Sequence, residues 1–272
     1  MSTHVGRINN HWVNETGDDC PEVLIIFDSQ GRKVAPLFTS LPLPEKSRIV
    51  SISGGGLREV LVLADRPMFR EASTVILAGI GTNDLALRGR PTTTPPTIIG
   101  TQPGLHHDVL RYDNVPGTST QRPGIYAQEL KELFRAVFDK LSPTQTLITF
   151  DPIPRRSEGF VNRQISFFQS KLEPFGVGHH HVRSLGAFTT TNNKRNKGRF
   201  NPDDPNSIFG GRRPAKDSMF DSDNVHLSDA AIRLFVQAIV AAESVVRAIR
   251  AGGTPPVKNT RLIPEKSFFW KF

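Results

Sequence analysis

The sequence predicts an α/β domain in which a five-stranded parallel sheet is covered on both faces by helices. Three observations predict it. Short apolar runs stop abruptly at turn residues, segments with helical spacing lie between those runs, and the alternation recurs five times along the 272 residues. Strands joined by helices are parallel and buried on both faces, so they read as continuous apolar runs rather than as alternating ones.

The first run, PEVLIIF at 21–27, ends at Asp28-Ser29-Gln30-Gly31. The second, RIVSIS at 48–53, ends at Gly54-Gly55-Gly56. Over 57–69 the positions Leu57, Val60, Leu61, Ala64 and Met68 recur at helical spacing, with Pro67 as a break near the end. STVILAGI at 73–80 is the third strand and ends at Gly81-Thr82-Asn83-Asp84. A Pro-, Thr- and Gly-rich insertion fills 88–123, and an amphipathic helix over 125–141 is stopped by Ser142-Pro143. TLITF at 146–150 is the fourth strand, a helix spans about 160–173, and HHVRSL at 180–185 is the fifth strand. A basic loop covers 186–218, and a final helix runs from Ser228 to Arg250 before Gly252-Gly253. Outside this 21–251 domain lie a polar, flexible leader over 1–20 and a tail over 252–272. The tail's SFFWKF is read as packing back or docking on a partner.

Composition bounds the classes. With 37% hydrophobic residues the chain buries a core, which argues against wholesale disorder. It holds no apolar run long enough for a transmembrane helix and no apolar core for a secretory signal at its polar start. A single cysteine, Cys20, excludes an internal disulfide framework. The expectation is an intracellular protein, cytoplasmic or nuclear, although a piece of a longer polyprotein would read the same. Against 26 acidic residues stand 34 basic ones, a net charge of +8 that favours encounters with polyanions. No cofactor and no metal are expected. Within His179-His180-His181, neighbouring side chains on a strand face opposite ways, and His106-His107 sits in the insertion without further ligands.

In a parallel sheet, ligands bind beyond the carboxyl ends of the strands. Ser29, the Gly54–Gly56 run and Asn83 each follow such an end, so all three fall on one rim. Ester hydrolysis needs a nucleophile, an oriented base and preorganised donors for the oxyanion. Ser29 sits on a strand-to-helix turn whose N–H groups face outward. Gly54 lets a backbone N–H approach a substrate without a Cβ in the way. Asn83 offers a side-chain amide. His226, three residues after Asp223, is a base with a carboxylate near enough to set its tautomer. The plainer readings are a helix cap for Ser29, a turn pair for Asn83-Asp84, and a cap for Asp223–His226. Ser228 is the better cap for the last helix, and Asp28 is read as support for the turn.

Taken together, these blocks resemble the SGNH (GDSL-type) serine esterase/hydrolase superfamily, in family order and over about 22–250. Phe27-Asp28-Ser29 matches the first block, Ser51-Ile52-Ser53-Gly54 the second, Gly81-Thr82-Asn83-Asp84 the third, and Asp223-Asn224-Val225-His226-Leu227 the last. Phe27 stands where the family has glycine, and Gly55 replaces Gly54 if the register slips by one. The resemblance implies a flavodoxin-like three-layer α/β/α fold. It also implies cleavage of a small acyl-ester substrate through an acyl-enzyme on Ser29. His226 would be the base, Asp223 its partner, and Ser29, Gly54 and Asn83 the oxyanion donors. An alternative is a catalytically inactive domain of the same fold that binds RNA or single-stranded nucleic acid, as Oskar-type domains do. Esterase-like domains also occur in proteins of some retrotransposons. Lys194, Arg195, Lys197, Arg199, Arg212 and Arg213 would then track phosphates. The acyl and alcohol groups and the oligomeric state are open at this stage.

Overall fold

Five apolar runs form the centre of the sheet because each is buried on both sides. In the computed structural model the described residues are 4–12, 20–38, 43–44, 46–52, 54–86, 97–101, 107–112, 125–156, 159–188, 217–223, 225–255, 262 and 269–271. Along the chain they form β1 (His4–Trp12), β2 (Val23–Phe27), α1 (Gly31–Phe38), β3 (Ser47–Ile52), α2 (Leu57–Leu63), α3 (Pro67–Arg70), β4 (Thr74–Leu77) and α4 (Thr82–Leu85). There follow β5 (Thr97–Thr101), β6 (His107–Tyr112), α5 (Ala127–Phe138), β7 (Thr146–Phe150), α6 (Gly159–Lys171), β8 (His179–Arg183) and α7 (Leu185–Phe188). A short 3-10 turn (Asp217–Met219), α8 (Asp229–Arg250) and β9 (Phe269–Lys271) complete the described chain.

The parallel core has the order β3-β2-β4-β7-β8, with helices on both faces, as the sequence predicts. Period-two alternation divides the strands between two cores. Leu24, Ile26, Val50, Val75, Leu77 and Leu147 pack under α2, α3, α5 and α6. Val23, Ile25, Phe27, Ile49, Ile76, Ile148 and Val182 pack under α1, α7 and α8. Phe235 of α8 anchors the second core with edge-to-face contacts to Phe27, Phe150 and Phe188 at 6.3, 5.2 and 5.8 Å. Ser228 caps α8 by accepting from the Ala231 N–H. No helix among the described residues is long and apolar enough to cross a membrane.

Beyond the five parallel strands the sheet continues, to nine strands among the described residues. The leader expected to be flexible holds β1, a correction for residues 4–12, which pair antiparallel with β3 from Ile8↔Ile52 to Trp12↔Arg48. The insertion contributes β5 and β6, with β6 antiparallel to β1, and the tail contributes β9, antiparallel to β8. Edge strands leave a row of unpaired backbone groups, and any extended segment can pair with them whatever its side chains. That is why polar HVGRINNHW carries no hydropathic mark of a strand. The 57–69 helix is two helices, because Pro67 lacks an N–H and starts α3 at its first turn. The basic loop residues Lys194, Arg195, Lys197, Arg199, Arg212 and Arg213 lie outside the described residues, as does His106.

A buried polar chain ties β7 to β8. His179 Nδ1 accepts from the Phe175 N–H at 2.9 Å, so the neutral ring donates from Nε2 to Thr149 Oγ1 at 3.0 Å. The Thr149 hydroxyl then serves His181 Nδ1 at 2.9 Å, and His181 Nε2–H donates to Asp151 Oδ1 at 2.9 Å. Asp151 also accepts from Gln169 and from the Ser184 and Leu185 N–H groups at the start of α7. Burial opposes its charge, but His181 and these N–H donors outweigh burial and hold the carboxyl below its usual range. Burial first, then the charges of His181, His180 and Arg135, pushes His179 down to about 2. The unfolded chain therefore takes up a proton at His179 below about 6.5 that the folded chain refuses, and stability falls as pH drops through that window. The expected outcome is a lower urea midpoint at about pH 5 than at about pH 7. In His179→Gln that fall is smaller, because glutamine keeps an acceptor and a donor but does not titrate.

Candidate active site

Register sets the site. β2 and β3 run level, with Phe27 opposite Ser51, and β2 and β4 run level, with Ile26 opposite Leu77. The turns after these three strands therefore open at one height, at the point where the strand order reverses direction.

In the first turn, Asp28 Oδ1 accepts from the Gln30 N–H at 2.9 Å and the Asp28 carbonyl accepts from the Gly31 N–H at 3.1 Å. This is the supporting role read for Asp28. Phe27 is fully buried and turns away from the site into the α8 core. The glycine that this turn needs is Gly31. A Cβ there would collide with Ser51 and come within 2.9 Å of Phe27 Cβ. Ser29 is half-buried, and its N–H bonds no other described residue.

The second turn distinguishes the three glycines. Gly55 N–H donates to the Ile52 carbonyl at 3.0 Å, and Gly56 N–H donates to Glu59 Oε2 at 2.6 Å. Gly54 has φ +62°, a backbone suited to glycine, and its N–H bonds no other described residue. In the third turn, Asn83 Nδ2 donates to the Gly55 carbonyl at 2.7 Å, while Asp84 Oδ2 accepts from the Leu57 N–H at the start of α2. Asn83 and Asp84 thus clip the glycine turn from both ends, and the Asp84 carboxylate also meets the positive end of α2. A Cβ on Gly56 would run into that carboxylate.

The fourth piece comes from the far end of the chain. His226 Nε2 lies 3.1 Å from Ser29 Oγ, 197 positions away in sequence. His226 Nδ1 is hydrogen-bonded to Asp223 Oδ2. Asp223 Oδ1 accepts from the Val225 and His226 N–H groups at 3.0 and 2.9 Å. The ring hydrogen bond first, and the His226 N–H next, hold the Asp223 carboxyl well below its usual range, so it is ionised. An ionised carboxylate only accepts, so Nδ1 carries a proton, and in the neutral ring Nε2 then faces Ser29 with its lone pair. All the residues read from the sequence as triad and oxyanion donors thus stand on one rim.

Two residues that sequence reasoning missed hold this arrangement. Gln30, buried at 2% exposure, donates from Nε2 to the Val225 carbonyl at 3.1 Å and accepts at Oε1 from the Leu227 N–H at 3.1 Å. It grips the backbone on both sides of His226. Arg155, in the loop after β7, donates from Nη2 to Asn83 Oδ1 at 2.9 Å. Neither carries a signal in the sequence, because glutamine after a serine and arginine in a loop are ordinary surface choices. An exposed ion pair between Lys33 of α1 and Asp221 adds a weaker tie between the same two segments.

Replacing Gln30 by leucine removes the partner of the half-buried Val225 carbonyl and of the buried Leu227 N–H. The expected cost is about 1–3 kcal/mol of stability, measured by urea unfolding. Amide exchange at Leu227 is expected to rise more than exchange in β2 or β4.

No family model matches the chain, and no curated protein matches it. Among solved structures, the chain is similar to one from Streptococcus pneumonia described as a "putative platelet activating factor". The two share 15% identity at a TM-score of 0.45, over 83% of this chain and 84% of that one.

Proposed function

We propose that the protein is a serine hydrolase of the SGNH kind that cleaves a carboxylic ester. The observation that carries this reading is the hydrogen-bonded chain from Ser29 Oγ through His226 to Asp223, in the one tautomer that can accept the serine proton. A structural cap would not need it. Asp223 already satisfies two N–H groups with one oxygen and keeps the other for the ring.

In the first step Ser29 Oγ attacks the ester carbonyl carbon while its proton passes to His226 Nε2. Asp223 stabilises the imidazolium across Nδ1–H. Negative charge collects on the carbonyl oxygen, where the donors are the N–H groups of Ser29 and Gly54 and the Nδ2 hydrogen of Asn83 not used on Gly55. Gly54 is assigned this role over Gly55 and Gly56 because those two N–H groups are already spent within the turn and the helix start. The alcohol leaves with the proton from His226, and a serine ester of the acid remains. Water then attacks that ester, giving its proton to His226. The acid departs as Ser29 Oγ takes that water-derived proton from His226.

The test is turnover of a short-chain aryl ester together with labelling by a fluorophosphonate probe. Ser29→Ala is expected to abolish both with its unfolding midpoint unchanged. Asp223→Asn is expected to lower kcat by about 10³–10⁴-fold, and Asn83→Ala by about 10²–10³-fold. Undiminished turnover in Ser29→Ala would remove the serine from the reaction and overturn the proposal.

A further inference from the structure

Arg155 is 7% exposed, and its Nη2 lies 2.9 Å from Asn83 Oδ1, across 72 positions of sequence. Its backbone is fixed as firmly as its head group. The Arg155 N–H donates to Asn162 Oδ1 at 2.8 Å, Asn162 Nδ2 donates back to the Arg155 carbonyl at 2.6 Å, and Asn162 is buried in α6. The loop carrying Arg155 is stitched to the Asn83 turn at two more points. Ile153 N–H donates to the Gly79 carbonyl at 3.1 Å, and Thr82 Oγ1 donates to the Ile153 carbonyl at 2.5 Å. A buried arginine is costly to desolvate, and a neutral residue could brace this turn at less cost.

What the cation adds is directional and electrostatic. A guanidinium only donates and the Gly55 carbonyl only accepts, so just one orientation of the Asn83 amide satisfies both. That orientation aims Nδ2 toward the glycine turn. A positive charge on the amide oxygen also draws electron density away from Nδ2–H, which makes it a stronger donor.

We propose that Arg155 is a positioning residue for the oxyanion hole, acting through Asn83 by fixing its amide and strengthening its Nδ2–H as a donor. This rests on the reading of Asn83 as an oxyanion donor. The consequence is specific to the transition state, because the ester carbonyl carries little charge before attack.

The experiment is a double-mutant cycle on aryl-ester turnover with R155M, N83A and N83A/R155M, beside NMR of the Asn83 side-chain amide in wild type and R155M. R155M is expected to lower kcat by about 10- to 100-fold with KM within about 3-fold, and R155K to recover part of the loss. In the N83A background R155M is expected to add nothing beyond about 2-fold, since its route to the substrate is already gone. The Asn83 amide resonances are expected to move in R155M. Should R155M fail to fold, R155K and N83A/R155K carry the same cycle with smaller effects. Unchanged kcat in a folded Arg155 variant, or the same fold loss with and without Asn83, would overturn the proposal. If wild type neither turns over the ester nor takes the fluorophosphonate, the hydrolase reading falls. The amide resonances then decide alone: if they stay put in R155M, Arg155 does not hold Asn83.

Discussion

Ser29 and His226 stand 197 positions apart in sequence and one hydrogen bond apart in space, and everything proposed for this protein depends on keeping that distance. Two short turns on the rim of a sheet would drift by more than a hydrogen bond's tolerance if each were held only by its own strand or helix. Gln30 removes that freedom, because one side chain rising from the Ser29 turn grips the main chain on both sides of His226. The serine and the histidine are therefore referenced to each other directly, and α8 packing fixes the pair relative to the sheet.

The Gly54–Asn83 side of the rim is built by the same logic with different chemistry. Asn83 and Asp84 hold the glycine turn, the loop after β7 holds the asparagine turn, and Arg155 ends that series in a fixed charge. Every link joins residues from different strands. The rim is stiff because its turns are bonded sideways, across the sheet, rather than only along their own chain.

Much of this was legible before the structure. The five parallel strands show in the sequence because burial on both faces demands uninterrupted apolar runs such as VLIIF and TLITF, and the rim follows from where those runs stop. Ser29 and Asn83 could be picked out as polar residues directly after strand ends, and Asp223 and His226 as a carboxylate and an imidazole three residues apart just before the last helix. The sequence puts Gly54 in the second block with Gly55 in reserve, and only the local turn shows that the Gly55 and Gly56 N–H groups are already bonded. Gln30 and Arg155 were invisible for a related reason: their roles exist only in contacts spanning 195 and 72 positions. The edge strand β1 was missed because antiparallel pairing asks only for backbone and its segment is polar, whereas β9 falls in SFFWKF, which the sequence marks as packing back or docking but not as a strand.

The placement of the two halves of the site in the chain has a consequence for how the protein is made. The Ser29 turn follows the first strand of the parallel core, while His226 precedes the last long helix, α8. A growing chain can pair β2, β3, β4 and β7 while Ser29 still lacks its His226 partner, since the histidine arrives late and its closure spans most of the polypeptide. Nascent or truncated chains ending before His226 would hold a serine no more reactive than an ordinary alcohol. Under the proposed mechanism, reactivity at Ser29 is a late event in synthesis, and a probe of that serine would report whether the long-range closure has been completed.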